Sequence, residues 1–180
     1  MSAPRPEDSI HGAAAITGAL QLVDQVVGTS ARRVFGLATV DIDRKERDLV
    51  ASFGRSAPVM SRDLPDDTQL GARCRLVMSV PGAVEILLLE PITEGRIAAS
   101  LARFDEGVVA VYAVVSGDRL PTVRRDLRAG GLTLSGEGPG PFGPQHLVVG
   151  APRWGAHLLI AGQREPDHRR SPTRAATIEP

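Results

Sequence analysis

The chain has 180 residues, no net formal charge, and 42% apolar but only 3% aromatic residues. A neutral chain lacks the basic excess of electrostatic nucleic-acid binders, so no nucleic-acid partner is expected. No apolar run reaches the roughly 20 residues of a membrane span, and the N-terminus lacks a signal peptide's apolar core, so we expect a cytoplasmic protein without membrane contact. The single cysteine, Cys74, excludes an internal disulfide framework and a cysteine-based zinc cluster. We expect Cys74 to act as a small buried hydrophobic residue.

The N-terminal segment predicts a tail, two strands and one helix. Residues 1–9 carry two prolines and several charges, which is typical of a disordered tail. Strands are predicted at 10–17 and 34–40, and a helix between them at 19–27, with Gly28 as its stop.

The next segment is dominated by charge and then by a hairpin. Residues 41–48 hold seven charges in eight positions, which predicts a turn or a solvated face. A strand or a short helix is expected at 49–53, and the two prolines within 54–67 predict a loop. Two apolar strands around Pro81-Gly82, at 74–80 and 84–89, predict a hairpin.

The second half begins with a helix and a buried strand. Residues 92–104 predict a helix, and the β-branched run 108–115 predicts a buried strand. Residues 118–129 predict a helix with an N-cap at Asp118 and a stop at Gly130. The rest predicts short strands at 132–135, 145–149 and 156–162, a Gly/Pro loop at 136–144 and a disordered tail at 164–180.

The order of elements repeats along the chain. Residues 10–91 and 107–163 each run strand, helix, strands, and a linker helix at 92–106 joins them. One such βαβββ module is an open half-sheet with an unpaired edge, so it needs a second half to cover it. We therefore predict an α+β fold in which two modules form one curved mixed sheet around a cup, with helices outside.

Several motifs resemble one known family. The hairpin Cys74-Arg-Leu-Val-Met-Ser-Val-Pro-Gly-Ala-Val-Glu-Ile-Leu-Leu-Leu-Glu-Pro91 is similar to the closing hairpin of the first module in vicinal-oxygen-chelate proteins. The linker with Arg96-Ile-Ala-Ala-Ser-Leu101 and Glu106-Gly107 resembles that of methylmalonyl-CoA epimerase and its glyoxalase-like relatives. The loop 136–144, the Ala151-Pro152 turn and Gly155 match the end of the same fold. The resemblance covers roughly residues 10–163, and it allows a homodimer, because relatives often pair their modules.

The resemblance implies a metal site that this chain has largely lost. Family members hold a divalent metal with His, Gln or Glu side chains, and the metal stabilises an enolate while a carboxylate moves a proton. The first-strand position matches His11. The other three positions match Leu87, Ala110 and Leu159, which cannot bind a metal. The expectation is therefore no standard metal site and no cofactor.

Strand periodicity supplies replacement candidates, because residues two apart on a strand share a face. Glu85, Tyr112 and His157 each lie two residues from a lost ligand position. Together with His11 they form the predicted catalytic set, with His or Glu as acid and base and Tyr112 as a donor to an oxyanion. A shifted divalent metal site built from His11, Glu85 and His157 is a variant. We predict further substrate contacts from the lip and neighbouring strand of the cup: Phe142, His146 and Trp154.

Two functions remain open from the sequence. One is an isomerase, epimerase, lyase or cyclase of specialised bacterial metabolism that moves a proton next to a carbonyl of a small metabolite. The other is a non-catalytic small-molecule-binding protein of the resistance type, which needs only an apolar cup. The loss of ligand positions favours binding, while the scarcity of aromatic residues weighs against it, because flat ligands are usually stacked on aromatic rings. Simpler alternatives exist for two of the predicted site residues: Glu85 as a carboxylate that is solvated or paired with Arg73 or Arg75, and His157 as a purely structural residue.

Overall fold

The computed structural model describes residues 21, 24–28, 31–53, 58–79, 85–149 and 156–163. Its elements in chain order are β1 (Arg32–Ala38), α1 (Ile42–Phe53), β2 (Val59–Asp67), β3 (Ala72–Ser79), β4 (Glu85–Pro91), α2 (Arg96–Phe104), β5 (Gly107–Ser116), α3 (Leu120–Ala129), β6 (Thr133–Leu134), β7 (Gly138–Gly140), β8 (Gly143–Val149) and β9 (His157–Gln163).

The strands form one curved, unclosed mixed sheet, and the predicted fold class is confirmed. The strand order is β2-β3-β4-β1-β5-β9-β8-β6, and β7 pairs with β8. At the centre β1 and β5 run antiparallel, and each has a parallel neighbour on its other side, β4 and β9 respectively. The two halves therefore have the same arrangement about the β1–β5 pair.

Two predictions for the first half need correction. Residues 41–48 are not a turn but the start of α1, because the Asp41 carboxylate accepts a hydrogen bond from the Arg44 backbone N–H at 2.9 Å and caps the helix. Residues 59–67 are not a loop but the edge strand β2, where Pro65 is tolerated near the register shift between Leu64 and Asp67. The predicted strand at 34–40 is observed as β1 over Arg32–Ala38, where it pairs with both β4 and β5.

The predicted hairpin is confirmed as β3 and β4, and the second half follows its prediction closely. The exception is the predicted loop 136–144, which contains β7 and the first residues of β8. The predicted strand at 10–17 and the tails at 1–9 and 164–180 lie outside the described residues.

Each face of the sheet carries its own core. Helix α3 packs Leu120, Val123 and Leu127 on one face of the second half, and α1 packs Ile42 on the same side of the first half. The opposite face, called the inner face below, carries a larger cluster around Tyr112 and Leu159, to which α2 adds Ile97 at one end. None of the helices in the described part of the chain is long and apolar enough to cross a membrane.

Candidate functional site

The strand register fixes which side chains share the inner face. Tyr112 lies opposite Val34 on β1 and beside Leu159 on β9, and Leu159 lies opposite Leu147 on β8. These four residues form an apolar row across the middle of the sheet, and Tyr112 is fully buried in it. Polar groups on the inner face therefore lie on either side of this row.

The positions matched to the family's metal ligands are part of the packed core. Leu87, Ala110 and Leu159 are each 0% exposed, and none carries a donor atom. His11 lies outside the described residues, and the central strand β1 offers Val34 and Gly36 to the inner face in place of a ligand. No group of three or more His, Cys, Asp or Glu side chains in the described ranges is placed to hold a metal ion. The residues present thus do not fit the family's metal site.

Glu85 is held by an arginine. Its carboxylate accepts two hydrogen bonds from the Arg32 guanidinium, at 2.6 Å from Nε and 2.9 Å from Nη2. Both side chains are partly buried, 31% exposed for Arg32 and 21% for Glu85. A planar fork of this kind matches a carboxylate on both oxygens, so Glu85 is a paired ion and not a free base.

Phe142 lies where β7 turns into β8 and joins this ion pair to Tyr112. The Arg32 guanidinium lies 5.3 Å from the centre of the Phe142 ring, which is close enough for a cation–π contact. The Phe142 and Tyr112 rings meet edge to face, with centres 5.6 Å apart at 75°. The predicted lip residue Phe142 thus packs on the inner-face core.

The hydroxyl of Tyr112 is also occupied. It donates a hydrogen bond of 2.7 Å to Oδ2 of Asp67, and both residues are fully buried. The other carboxylate oxygen of Asp67 accepts the backbone N–H groups of Gln69 and Leu70, each at 2.9 Å. Burial, and next the negative charge of Asp67, raise the pKa of Tyr112 well above its ordinary value.

Sequence reasoning missed Asp67 because it lay in a segment predicted to be a loop. The sequence did contain a signal, because an aspartate often accepts hydrogen bonds from the backbone of the turn that follows it, as Asp67 does. The turn that follows, residues 68–71, reaches the far edge of the sheet. There Gln69 Nε2 donates to the carbonyls of Gly136 and Gln145, and Thr68 Oγ1 donates to the Pro139 carbonyl at 2.8 Å. These bonds bring the two ends of the curved sheet together.

His157 begins β9 and lies beside Ala110 of β5. Its ring is half-buried, and the buried Nδ1 atom has no hydrogen-bond partner among the described residues. Burial, and next the positive charge of Arg96, lower the pKa of His157, while the charge of Asp67 opposes this. The lowered pKa favours the neutral imidazole, and its buried Nδ1 is left without a hydrogen bond to the described residues.

Of the two remaining predicted contacts, His146 does not join this group. His146 alternates with Leu147 on β8 and so points to the opposite face, where its Nδ1 lies 3.1 Å from the Ser135 carbonyl oxygen. Trp154 lies outside the described residues. A separate groove of about 460 Å³ contains no predicted site residue and is lined by Ser116, Gly117, Asp118, Leu120, Pro144, Gly162 and Gln163.

The fold is that of vicinal-oxygen-chelate, or glyoxalase-like, proteins, as predicted. Methylmalonyl-CoA epimerase from Mycobacterium tuberculosis superposes with a TM-score of 0.60 at 21% identity, over 73% of this chain and 87% of the epimerase. A second methylmalonyl-CoA epimerase gives a TM-score of 0.58 at 16% identity, over 73% and 94% of the two chains.

A plant enzyme shares the fold as well. The hydroxyglutarate synthase from Oryza sativa, solved in complex with 2-oxoadipate, gives a TM-score of 0.56 at 11% identity, over 95% of this chain and 86% of the synthase. No protein-family model and no curated protein matches the chain. At these identities the likeness is one of fold.

Proposed function

We propose that the protein is an enzyme that moves a proton at a carbon next to a carbonyl of a small molecule, with His157 as the proton acceptor. The observation that carries the proposal is the state of His157, a neutral imidazole with an unpartnered, buried ring nitrogen at the inner face. A general base must be unprotonated at the working pH, with its acceptor atom free, and it works best when its pKa lies near that pH.

The other predicted catalytic residues serve this chemistry less directly. Glu85 is bound on both oxygens by Arg32, and the Tyr112 hydroxyl already donates to Asp67. In the proposed reaction His157 accepts the proton from carbon, and an enolate forms on the substrate. The positive charge of Arg96, which already acts on His157, favours that negative charge. The proton then returns from the imidazolium to carbon, so the balance is that of an isomerisation.

The fit of the residues supports a reaction without the family's metal. The aligned ligand positions are occupied by Leu87, Ala110 and Leu159, whose side chains have no atom that could bind a metal beside an enolate. Protein side chains and positive charge must therefore provide its stabilisation, and we derive no step through a metal.

The test is exchange of substrate C–H protons with solvent. The protein is incubated in D₂O with a panel of small 2-oxo acids, 3-oxo esters and acyl thioesters, and loss of the proton next to the carbonyl is followed by NMR. We expect exchange with at least one panel member, unchanged by a chelator and lowered about 100-fold or more in His157→Gln. His146→Gln is the matched control and should exchange normally, because His146 lies on the other face. Exchange that is equal in the two variants would refute His157 as the base.

A second candidate is small-molecule binding without catalysis. It is favoured by the pairing of Glu85 and Tyr112 with residues of the chain itself, which leaves the inner face mainly apolar. The same panel separates the two functions. Ligand-induced shifts of inner-face resonances without any proton exchange would support binding alone.

A further inference from the structure

A second unpaired polar group lies on the inner face, on the other side of the apolar row from His157. Gln145 of β8 is 0% exposed, and both its Nε2 and Oε1 atoms have no hydrogen-bond partner among the described residues. Burying an amide without partners is unfavourable, so a residue of this kind needs a reason other than stability.

The surroundings of Gln145 are shaped to receive its side chain. Gln145 lies opposite Gly138 of β7, and a Cβ atom added to Gly140 would fall 2.1 Å from its Cδ. A side chain at position 140 would meet the far end of the Gln145 side chain, which would have to turn aside. Gly140 therefore leaves room for the Gln145 amide beside β7.

Small side chains separate Gln145 from Arg32 in the row that crosses the sheet. Next to it come Ala161 of β9 and Val114 of β5, and the row ends at Arg32 of β1. The two residues between the amide and the guanidinium thus have small side chains. Phe142, in the turn that precedes β8, covers this row by its contacts with Arg32 and Tyr112, and it is only partly buried.

We propose that Gln145 is a ligand-binding residue that recognises a neutral group with a donor and an acceptor side by side, namely a carboxamide or a lactam. Such a group satisfies both amide atoms of Gln145 with two parallel hydrogen bonds. A carboxylate is a poor match, because one of its oxygens would face the Gln145 oxygen. The charge of Arg32, which would otherwise attract an anion, is bound by Glu85.

This inference rests on the proposed function only in placing a small molecule on the inner face. It adds the class of group that the molecule carries. His157 lies four residues before Ala161 on β9, which is about 13 Å along the strand. A substrate that meets both residues therefore has its recognised amide and its reacting carbon well separated, with an apolar part between them.

The premise is tested first without any ligand, by two matched substitutions. Gln145→Met removes the unpaired amide and should raise the thermal midpoint by about 2–6 °C. Gln69→Met is the control, because the Gln69 amide is paired with the carbonyls of Gly136 and Gln145 and with the Ser135 hydroxyl. It should lower the midpoint by a similar amount. A fall in Gln145→Met as large as that in Gln69→Met would mean that the Gln145 amide is already satisfied, and would overturn the proposal.

Binding is then tested with 2-piperidone, N-methyl-2-piperidone and valerate as probes. The side-chain NH₂ signals of Gln145 are assigned in a ¹H–¹⁵N spectrum as the pair lost in Gln145→Met. We expect 2-piperidone to shift this pair and to bind at least 10-fold more tightly than its N-methyl analogue, which lacks the N–H donor, and than valerate. Gly140→Ala should abolish the shift although Gln145 is retained. Equal binding of the three probes, or no movement of the pair with any of them, would refute the assignment.

The two proposals fail separately. Movement of the Gln145 signals without proton exchange on the carbonyl panel would leave the subsite standing and remove the proposed reaction. Exchange that depends on His157, with the Gln145 signals unmoved by 2-piperidone, would support the proposed reaction and refute the Gln145 subsite.

Discussion

The hydrogen bond between Tyr112 and Asp67 should be a main contributor to the stability of the inner face. Tyr112→Phe removes one oxygen atom and leaves the ring, with its edge-to-face contact to Phe142, in place. Because both partners are fully buried, water cannot replace the lost donor. The carboxylate oxygen Oδ2 of Asp67, which accepts the Tyr112 hydroxyl at 2.7 Å, then keeps no described partner.

The expected loss follows from the kind of bond. A hydrogen bond to a charged group contributes about 1.5–3 kcal/mol, and an unpaired buried acceptor lies at the upper end of that range. The two backbone N–H groups on the other oxygen of Asp67 remain, so the carboxylate is not left without donors. We therefore expect Tyr112→Phe to lower the free energy of unfolding by about 2–3 kcal/mol.

The measurement is urea unfolding followed by far-UV circular dichroism at constant pH. Ser52→Ala is the control, because its hydroxyl lies on the exposed part of α1 and its removal should change the free energy by no more than about 0.5 kcal/mol. A loss below about 0.5 kcal/mol in Tyr112→Phe would show that the hydrogen bond between Tyr112 and Asp67 does not form in solution.

Three further results follow from buried or paired groups. Tyr112 is the only tyrosine, so the tyrosinate absorbance at 295 nm reports on this residue alone. Because its pKa is raised, the folded protein should show no tyrosinate at pH 10, whereas the urea-unfolded chain should ionise there. Burial raises the pKa of Cys74, the only cysteine, so a thiol reagent should react at pH 8 only after unfolding, and fast reaction of the native protein would contradict the described core. Although burial acts to raise it, hydrogen bonds from Thr39, the Val40 N–H and Lys45 hold the pKa of Glu106 at about 2, below its ordinary value of 4.5. Above pH 4.5 the Glu106 carboxylate therefore adds about 1–2 kcal/mol to the free energy of unfolding, after allowance for solvent screening. The wild type should lose this contribution as the pH falls from 4.5 to 2, and Glu106→Gln should show no such loss.

The sequence was sufficient for the elements that are buried on both faces or bounded by clear stops. β5 is a continuous apolar run and was predicted nearly to its ends, and α3 ends before Gly130 as predicted. The predicted N-cap of α3 at Asp118 is wrong, because the N-cap residue is Arg119 and no side chain caps the helix. The β3–β4 hairpin was equally clear, because its two apolar segments flank the Pro81-Gly82 pair in the sequence. In these cases local preference and burial favour the same structure.

The sequence was not sufficient where an element lies at the surface or edge. α1 buries Ile42 but carries charges at most positions of its first two turns, so its helical period is hidden, and the cap at Asp41 was the remaining signal. β2 is an edge strand whose middle residues are mostly exposed, so it shows no clear alternation.

The face on which each candidate site residue lies could be predicted from the sequence, but the hydrogen-bond partners of these residues could not. Alternation along a strand correctly places Glu85, Tyr112 and His157 on the inner face, because that depends only on local period. Their partners lie far away in the chain, Arg32 from Glu85 by 53 residues and Asp67 from Tyr112 by 45. Nothing local in the sequence indicates which polar group a distant strand will supply.

These partners also separate structural from functional polar groups on the inner face. A buried polar side chain that the fold pairs internally gains nothing further from a bound molecule, and this holds for Glu85 with Arg32 and for Tyr112 with Asp67. On the described part of the inner face, unpartnered polar atoms remain on His157 and Gln145. A ligand that forms hydrogen bonds with these atoms offsets the cost of burying them without partners. This is the physical reason to place the proton transfer at His157 and the ligand recognition at Gln145.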